Sequence, residues 1–303
     1  MARPSSVATR LRSLFSGRTL LIGTPFLWLL VFFLLPFLIV LRISLAEMDG
    51  AMVSDLFTYA NNELFMKLKL QNYLTILEDD LYLSTYAQSL KYAGITTAVC
   101  LAIGYPFAYF MARSPSTVQP LLLMGVMLPF WTSFLLRVYA WKGILADQGL
   151  LNQLLMTLGL TSEPIQMLYT DVSMLVGMTY VYLPFMVLPL YANLVKLDYR
   201  LLEAAYDLGA TPWKAFWLVT VPLSRAGIIA GFMLVFIPAL GEFVIPSLLG
   251  GPENLMIGRV VWDEMFTANN WPRAAALAVV MIGAIVVPLA LYYRHHGQAE
   301  AQH

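Results

Sequence analysis

DYRLLEAAYDLGATPWKAFWLVTVPLSR, residues 198–225, is a polar interruption between two long apolar segments of the chain. Asp198 is a good cap for a helix that starts here, and Gly209 ends that helix because glycine accepts the left-handed conformation. Thr211 then offers a second cap, with Pro212 at a first helical position, where its missing N–H does no harm. The stretch therefore predicts a helix, a tight turn and a second helix, which we call the elbow (residues 198–225).

The elbow is predicted to be amphipathic in both of its helices. Residues at helical spacing share one side of a helix, so apolar side chains gather on one face of each half. We expect such an elbow to lie on one side of a membrane and to be held by a partner. The residues predicted to share a face are Leu201, Leu202, Ala205 and Leu208 in the first helix and Trp213, Phe216, Trp217 and Thr220 in the second.

The spacing inside the elbow resembles the EAA loop of ABC importer permeases, whose pattern is EAA, three residues, Gly, nine residues, I-x-L-P. Val219 and Val221 stand here for the Ile and Leu of that pattern, which are apolar exchanges. The resemblance implies that the elbow is a coupling helix that inserts into a cleft of a separate ATPase. The residues to which it assigns this role are Glu203, Ala204, Ala205, Asp207, Gly209 and Pro222.

Composition defines the class of protein. Of the 303 residues, 59% are hydrophobic and only 12% charged, whereas soluble domains carry about 25% charged residues. The formal net charge is zero and no basic run is present, which excludes a nucleic-acid partner. The single cysteine, Cys100, lies in an apolar segment and is expected to be a packing residue. The sequence is that of a polytopic membrane protein.

Six segments are apolar and long enough to cross a bilayer, which takes about 20 residues. The N-terminal Arg3, Arg10, Arg12 and Arg18 come without an acidic residue, which predicts a cytoplasmic N-terminus. An even number of crossings returns the C-terminus to the same side. We therefore predict an all-α membrane protein with both termini cytoplasmic, and the resemblance to ABC importer permeases implies that the membrane is the bacterial inner membrane. The predicted spans lie near residues 20–41, 88–112, 121–144, 172–194, 226–249 and 274–293.

The predicted organisation is set by these spans. The segment between the first two spans is too short to form a domain, so we expect a few short helices lying on the membrane. The outer loops are rich in acidic residues, which either attract cations or form an ordinary solvated face. The predicted divisions are an N-terminal tail at 1–19, the first span at 20–41, a periplasmic loop at 42–87, a five-helix core at 88–293 that contains the elbow, and a cytoplasmic tail at 294–303.

Motifs for energy conversion and catalysis are missing from the sequence. No G-x-x-x-x-G-K-[ST] loop is present to hold phosphates, and neither H-E-x-x-H nor G-x-S-x-G occurs. Transport would thus depend on ATP and Mg²⁺ bound to a partner ATPase. We expect no cofactor, metal site or catalytic residue in this chain.

Glu242 is the acidic residue that lies well inside a predicted span. Pro238, Gly241 and Pro246 surround it and are expected to break the helix locally. A carboxylate in lipid is costly, so Glu242 should face a cavity or a partner. Two hypotheses remain open: Glu242 contacts a cationic substrate, or it forms an ion pair with Arg137 or another basic residue that holds helices together.

Aromatic residues in neighbouring spans extend the predicted substrate path. Aromatic faces bind ammonium groups with about 0.5–2 kcal/mol each. Tyrosine and tryptophan are also enriched at membrane interfaces, so each of these side chains has an alternative role as an anchor. The candidates are Tyr182, Tyr180 and Trp131, and Trp141 lies in the same predicted span as Trp131.

A second set of stretches narrows the resemblance. LPFWTSFLLRVYAWKGIL (128–145), LVFIPALGEFVIPSLLGG (234–251), MIGRVVWDEMF (256–266) and NNWPRAAALAV (269–279) are similar to the putrescine/spermidine branch of bacterial ABC importer permeases. The resemblance implies a type I importer fold, a second related permease, an ATPase dimer and a periplasmic polyamine-binding protein. An importer of another small solute is the alternative within this architecture. An ion-coupled carrier or a membrane enzyme would require internal repeats or clustered catalytic residues, which do not appear.

Overall fold

The computed structural model describes residues 17–50, 52–54, 57–60, 63–66 and 69–300. The predicted N-terminal tail lies almost wholly outside these residues, as does the end of the predicted C-terminal tail. The chain divides into two compact units. The first unit comprises residues 1–76 and 264–303, and the second comprises residues 77–263.

The first unit contains the first predicted span and the last one. The span from Leu21 to Ser44 is long and apolar, and its most apolar window has no buried residue. It is built from α1 (Gly17–Leu29), one π-helical turn (Leu30–Leu34) and α2 (Leu35–Ser44). A long helix, α15 (Trp271–Glu300), packs against α2. The exposed apolar surface of this span is typical of a lipid-facing helix.

The segment after α2 differs from the prediction. Short helices were expected, but the described residues form two antiparallel hairpins and one helix. Because each strand has only two to four residues, the alternation of side chains is too brief to stand out in the sequence. The elements are β1 (Met48–Asp49), β2 (Met52–Val53), β3 (Phe57–Ala60), β4 (Glu63–Met66) and α3 (Gln71–Glu78).

The α3 helix is attached to the end of α2 by buried polar contacts. The Asn72 side chain donates to the carbonyl oxygens of Ser44 (3.2 Å) and Ala46 (2.9 Å). The hydroxyls of Ser44 and Tyr73 lie 2.7 Å apart. These bonds satisfy the carbonyls that the end of α2 leaves without helical partners.

Three helices form the centre of the second unit: α4 (Asp80–Arg113), α8 (Asp171–Leu194) and α12 (Arg225–Leu240). The α8 helix packs against both of the others, and glycines lie where the backbones come close. A Cβ atom on Gly104 of α4 would lie 3.2 Å from Met186 of α8, and one on Gly231 of α12 would lie 2.6 Å from the Met186 sulfur. Small residues allow this approach in membrane helices. In the same layer, the Cys100 thiol is fully buried and donates to the Thr179 carbonyl at 3.7 Å.

One of the predicted spans is bent, and another is interrupted. The third predicted span, 121–144, is a pair of helices that meet at 89° around Thr132 and Ser133. The helices on either side are α5 (Gln119–Met127) with a 3₁₀ turn (Leu128–Trp131), and α6 (Phe134–Leu145), which is followed by α7 (Leu150–Thr157).

The fifth predicted span, 226–249, is interrupted as its prolines and glycine predicted. The α12 helix ends at Leu240, and a short helix, α13 (Val244–Leu249), begins after Gly241–Phe243. A further short helix, α14 (Ile257–Trp262), continues into a π-helical turn (Asp263–Thr267).

All six predicted spans fall on helices, and the fold is that of a mostly helical membrane protein. Among the described residues, three helices are long and apolar enough to cross a bilayer. Five candidates result if each of two bent pairs counts as one span: Gln119–Trp131 with Phe134–Thr157, and Pro212–Leu223 with Arg225–Leu240, which meet at 67°. The sixth predicted span corresponds to the shorter apolar stretch Trp271–Val287.

Candidate functional site

The first half of the elbow is a short helix, α9 (Arg200–Asp207). The Asp198 carboxylate accepts the Arg200 N–H at 3.0 Å, so it caps the helix start as predicted. The predicted apolar face is only partly buried: Leu202 is 4% exposed, whereas Leu208 is 89% exposed. Leu202 therefore anchors this helix to its own chain, whereas Leu201 and Leu208 are open to a partner.

Gly209 forms the turn of the elbow. Its φ angle is +82°, in the left-handed region that the sequence predicted. The Gly209 N–H bonds to the Tyr206 carbonyl (2.9 Å) and the Ala210 N–H to the Ala205 carbonyl (3.0 Å), which is the bonding of a glycine helix end. A Cβ atom at this glycine would meet nothing within 4 Å. Glycine is required here by the backbone angle and not by crowding inside the chain.

The second half of the elbow begins as predicted. The Thr211 hydroxyl accepts the Lys214 N–H at 3.4 Å, and Pro212 occupies the first position of α10 (Pro212–Ala215). A π-helical turn (Phe216–Thr220) comes next, and then α11 (Val221–Leu223), which contains Pro222. Proline has no N–H and crowds the carbonyl four residues earlier, so a wide turn before Pro222 relieves the conflict.

The π-helical turn changes which side chains share a face. Thr220 was expected beside Trp213, Phe216 and Trp217, but it is buried, whereas Trp213 is 70% exposed. The rings of Trp213 and Phe216 stack at 6.1 Å, and Trp217 packs edge-on against both. The prediction of one continuous helical face is wrong because a π turn adds a residue per turn and rotates the later side chains about the helix axis.

The predicted coupling residues lie together on this elbow. Glu203, Ala204, Asp207 and Gly209 are exposed, and Ala205 is half-buried. Pro222, in the second half, is half-buried. Exposed acidic and apolar groups are thus combined on a rigid turn, and such an arrangement forms a docking surface more readily than a pocket.

Glu242 lies in the break between α12 and α13 and is 9% exposed. One carboxylate oxygen accepts the N–H groups of Val244 (3.0 Å) and Ile245 (3.3 Å), and so caps the start of α13. The other oxygen accepts the Tyr182 hydroxyl at 2.5 Å. These three bonds satisfy a buried carboxylate that the sequence left without an identified partner.

One of the two hypotheses named Arg137 as a partner for an ion pair with Glu242. The structure does not contain this ion pair. The Arg137 guanidinium lies over the Phe130 ring, 5.3 Å from the centroid. Phe130 packs edge-on against Phe185 (5.1 Å), which in turn lies 6.2 Å from Tyr182. An aromatic series thus lies between the arginine and the tyrosine that holds Glu242. The sequence analysis did not single out Phe130 or Phe185, because phenylalanine in a span carries no polar signal.

The other two predicted path residues lie apart from Glu242. Tyr180 packs edge-on against Trp141 at 5.5 Å and lines an apolar groove of about 310 Å³ between α5 and α8. Trp131, at the end of the 3₁₀ turn, is 80% exposed. The structure therefore brings together Tyr182 and Glu242 but not Tyr180 and Trp131.

A buried polar network around Asn254 was not predicted. The Asn254 side chain accepts the Gly251 N–H (2.8 Å) and donates to the Tyr92 hydroxyl (2.8 Å) and to the Asp171 carboxylate. It thereby fixes the loop between α13 and α14 to the first half of α4 and to the start of α8. The sequence signal for this network was the asparagine side chain within the glycine-rich stretch GGPENLMIG. Among the described residues, no group of three or more His, Cys, Asp or Glu side chains is placed to hold a metal ion.

The fold and the elbow define a membrane-embedded subunit of an ABC importer. Two crystal structures match over almost the whole chain, although each is only 15% identical in sequence and so supports the fold alone. One is a bacterial ABC transporter involved in the import of alginate (TM-score 0.68, covering 97% of this chain and 98% of that one). The other is a bacterial alginate ABC transporter in complex with a periplasmic protein bound to an alginate pentasaccharide (TM-score 0.69, 96% of each chain).

Residues 101–297 match the model of the binding-protein-dependent transport system inner membrane component family, and the chain belongs to that family. It is a multi-pass permease subunit of the bacterial inner membrane and not itself an enzyme. It is 41% identical over 269 residues to the spermidine/putrescine transport system permease protein PotB of Haemophilus influenzae, covering 89% of this chain and 90% of the relative. PotB of Escherichia coli is 40% identical over 268 residues (88% and 93%). The inner membrane ABC transporter permease protein YdcU of Escherichia coli is 35% identical over 221 residues (68% and 70%).

Proposed function

We propose that this chain is a permease subunit of an ATP-driven importer that moves putrescine, and also spermidine, across the bacterial inner membrane. The observation that supports this most is 41% identity to a spermidine/putrescine permease over 89% of the chain. The proposed partners are a second related permease, an ATPase dimer that binds ATP and Mg²⁺, and a periplasmic polyamine-binding protein. Both termini and the elbow would lie in the cytoplasm.

The elbow is the proposed contact with the ATPase. Its exposed residues Glu203, Ala204, Asp207 and Gly209, with half-buried Ala205 and Pro222, would occupy a cleft of that partner. The exposed Leu208 and Trp213 supply apolar area next to them. Exposed apolar side chains on a turn that one buried leucine anchors are typical of a surface that a partner covers. Movement of the ATPase would reach the spans through this elbow.

Glu242 and Tyr182 are the proposed substrate contacts, within the five-helix core that we assign to residues 88–293. A carboxylate at a helix break beside an aromatic hydroxyl has the charge to receive an ammonium group. For such contact the ammonium would replace or join the Tyr182 hydroxyl at the second carboxylate oxygen. Tyr180 and Trp131, which lie elsewhere, stay predictions.

A second candidate has one observation in its favour. The Glu242 carboxylate already accepts three hydrogen bonds from its own chain, which favours a purely structural role as the cap of α13. In that case the chain would be a permease for another small solute, with the same partners and the same elbow.

Uptake tests the two candidates. Cells that lack their own polyamine importers would express this permease with its partner permease, ATPase and binding protein, and labelled putrescine would be supplied with unlabelled spermidine as competitor. ATP-dependent uptake that spermidine reduces is expected. An assembled complex that takes up neither labelled putrescine nor, in a parallel assay, labelled spermidine would refute the proposed substrate and leave the importer architecture standing.

A further inference from the structure

One face of α4 receives the elbow at three successive turns. Tyr105, Tyr109 and Arg113 lie at intervals of four residues, so their side chains are on the same side of the helix. The Tyr105 hydroxyl lies 2.8 Å from the Ser224 hydroxyl at the end of the elbow. The ring of Phe216 packs edge-on against both Tyr105 (5.5 Å) and Tyr109 (5.8 Å).

The third member of this face, Arg113, contacts the other half of the elbow. Its guanidinium lies over the Tyr109 ring (5.0 Å) and the Tyr199 ring (4.5 Å), and it also donates to the Tyr109 hydroxyl at 3.0 Å. Tyr199 immediately precedes α9. A planar cation between two aromatic faces is attracted to both, and the end of a helix favours positive charge.

Packing at this place is otherwise open. A cavity of about 520 Å³ lies between the end of α4 and the start of α9, and its lining includes Tyr109, Arg113, Tyr199, Leu202 and Tyr206. A cavity of this size means that the two elements are not joined by a filled apolar core. The stacked guanidinium bridges them across this cavity, next to the buried Leu202.

The first half of the same helix is fixed to the loop between α13 and α14. The Ser89 hydroxyl accepts the Ile257 N–H at 2.7 Å, and the Tyr92 hydroxyl accepts from Asn254 at 2.8 Å. Gly258 follows Ile257 in the chain and lies close to the break before α13. A Cβ atom on Gly258 would be 2.3 Å from the Gly241 carbonyl oxygen. Ser89 and Arg113 are 24 residues apart in this helix, so at a rise of 1.5 Å per residue α4 carries the two sets of contacts up to about 36 Å apart.

We propose that Arg113 is a positioning residue for coupling, which through its stacking on Tyr199 transmits movement of the elbow into α4 and from there to the loop that packs on the Glu242 break. This inference rests on the proposed function of the elbow as the ATPase contact. It adds a route to the spans that does not run through the helices covalently joined to the elbow.

Variants of Tyr199 test the contact more specifically than variants of Arg113. Tyr199 is half exposed, and its ring rather than its hydroxyl makes the contact with the guanidinium. Tyr199→Phe keeps the ring over the guanidinium, and Tyr199→Leu removes it. Tyr139→Leu, at a tyrosine of similar exposure on α6 (55% against 50%), makes the same chemical change away from the elbow and serves as the control. Arg113→Ala and the double variant Arg113→Ala/Tyr199→Leu complete a double-mutant cycle.

The measurements are made on the purified four-component complex in lipid nanodiscs and liposomes. ATP hydrolysis is recorded with and without the binding protein, and putrescine uptake is recorded per ATP hydrolysed. Tyr199→Leu and Arg113→Ala are each expected to lower the stimulation by binding protein and the uptake per ATP by roughly fivefold or more, as a coupling free energy at the lower end of the usual range would. The double variant should be no worse than either single one, and Tyr199→Phe and Tyr139→Leu should match the unmodified complex.

Three outcomes for the Tyr199 and double variants would each overturn the proposal. The stacked cation does not transmit movement if coupling is unchanged in Tyr199→Leu, or if Tyr199→Phe and Tyr199→Leu lose coupling equally. The same conclusion follows if the losses of the two single variants add up in the double variant. If Arg113→Ala prevents assembly, the comparison of Tyr199→Phe with Tyr199→Leu still tests the proposal. An unmodified complex whose ATPase responds to binding protein but which takes up no putrescine would refute the proposed substrate, and the contact between Arg113 and Tyr199 would then be judged from the ATPase stimulation alone.

Discussion

Glu242→Gln separates the charge of the Glu242 side chain from its hydrogen bonds. The amide oxygen of glutamine can still accept the N–H groups of Val244 and Ile245, which reach the present carboxylate at 3.0 and 3.3 Å. The amide NH₂ can donate to Tyr182, because a phenolic oxygen both donates and accepts. The cap of α13 and the link to α8 are therefore kept, and only the negative charge is lost.

The magnitudes differ between two substitutions at this position. Glu242→Ala leaves three buried donors without an acceptor, and at about 1–3 kcal/mol each the loss is at least about 3 kcal/mol of stability. Glu242→Gln should cost under about 1 kcal/mol of stability, since a neutral acceptor replaces a charged one. A substrate ammonium that bonds to the carboxylate would lose about 1.5–3 kcal/mol on the change to glutamine, which is a reduction of roughly 10- to 100-fold in uptake at low putrescine concentration.

The assay compares both variants with the unmodified permease in the complete importer. Complex recovered through a tag on the ATPase reports assembly, and labelled putrescine well below saturation reports uptake per complex. Tyr182→Phe is the control that removes only the hydroxyl bond. We expect Glu242→Gln to assemble normally and to transport poorly. Normal uptake by Glu242→Gln, with failed assembly by Glu242→Ala, would refute the substrate contact and leave Glu242 as a helix cap.

Three further substitutions test features of the backbone and the polar network. Gly209→Val should cost about 1–2 kcal/mol through its left-handed φ angle and lower uptake per assembled complex, whereas Gly209→Asn, which tolerates this conformation, should transport better; equal transport by both would contradict the role of the turn. Asn254→Asp should lower the thermal unfolding midpoint more than Asn254→Ala, because it sets a second carboxylate beside Asp171; the reverse order would show that charge repulsion is not felt there. Gly258→Ala, whose Cβ would lie 2.3 Å from a backbone carbonyl oxygen, should cost about 1–3 kcal/mol, while Gly283→Ala, with nothing within 4 Å, should leave the unfolding midpoint unchanged.

Local chemistry explains what the sequence could predict. Asp198, Gly209 and Thr211 act on backbone groups only a few residues away, so their roles as caps and turn can be inferred from the sequence around them. The break near Glu242 was predictable for the same reason, since Pro238 and Gly241 act on their own helix. Six long apolar segments predicted the helical membrane fold, because the bilayer sets their length.

Tertiary contacts account for what the sequence could not predict. Tyr182, the partner of Glu242, lies 60 residues earlier in the chain, and no local pattern links the two. Arg137 was expected to attract the carboxylate by charge, but the structure places it over Phe130. The π-helical turn at Phe216–Thr220 depends on packing against α4 as well as on Pro222, so a regular helical period predicted the wrong position for Thr220.

The buried Cys100 has a practical consequence for following this permease through its cycle. It is the sole cysteine of the sequence, and its thiol is shielded from thiol reagents by complete burial. Cysteines introduced at exposed sites, such as Leu208 in the elbow and Leu83 near the opposite end of α4, can therefore carry spin labels or fluorophores while the native thiol stays in place. The distance between two such labels would report directly how far the elbow travels when nucleotide binds. The labelled chain would differ from the natural one at only two positions.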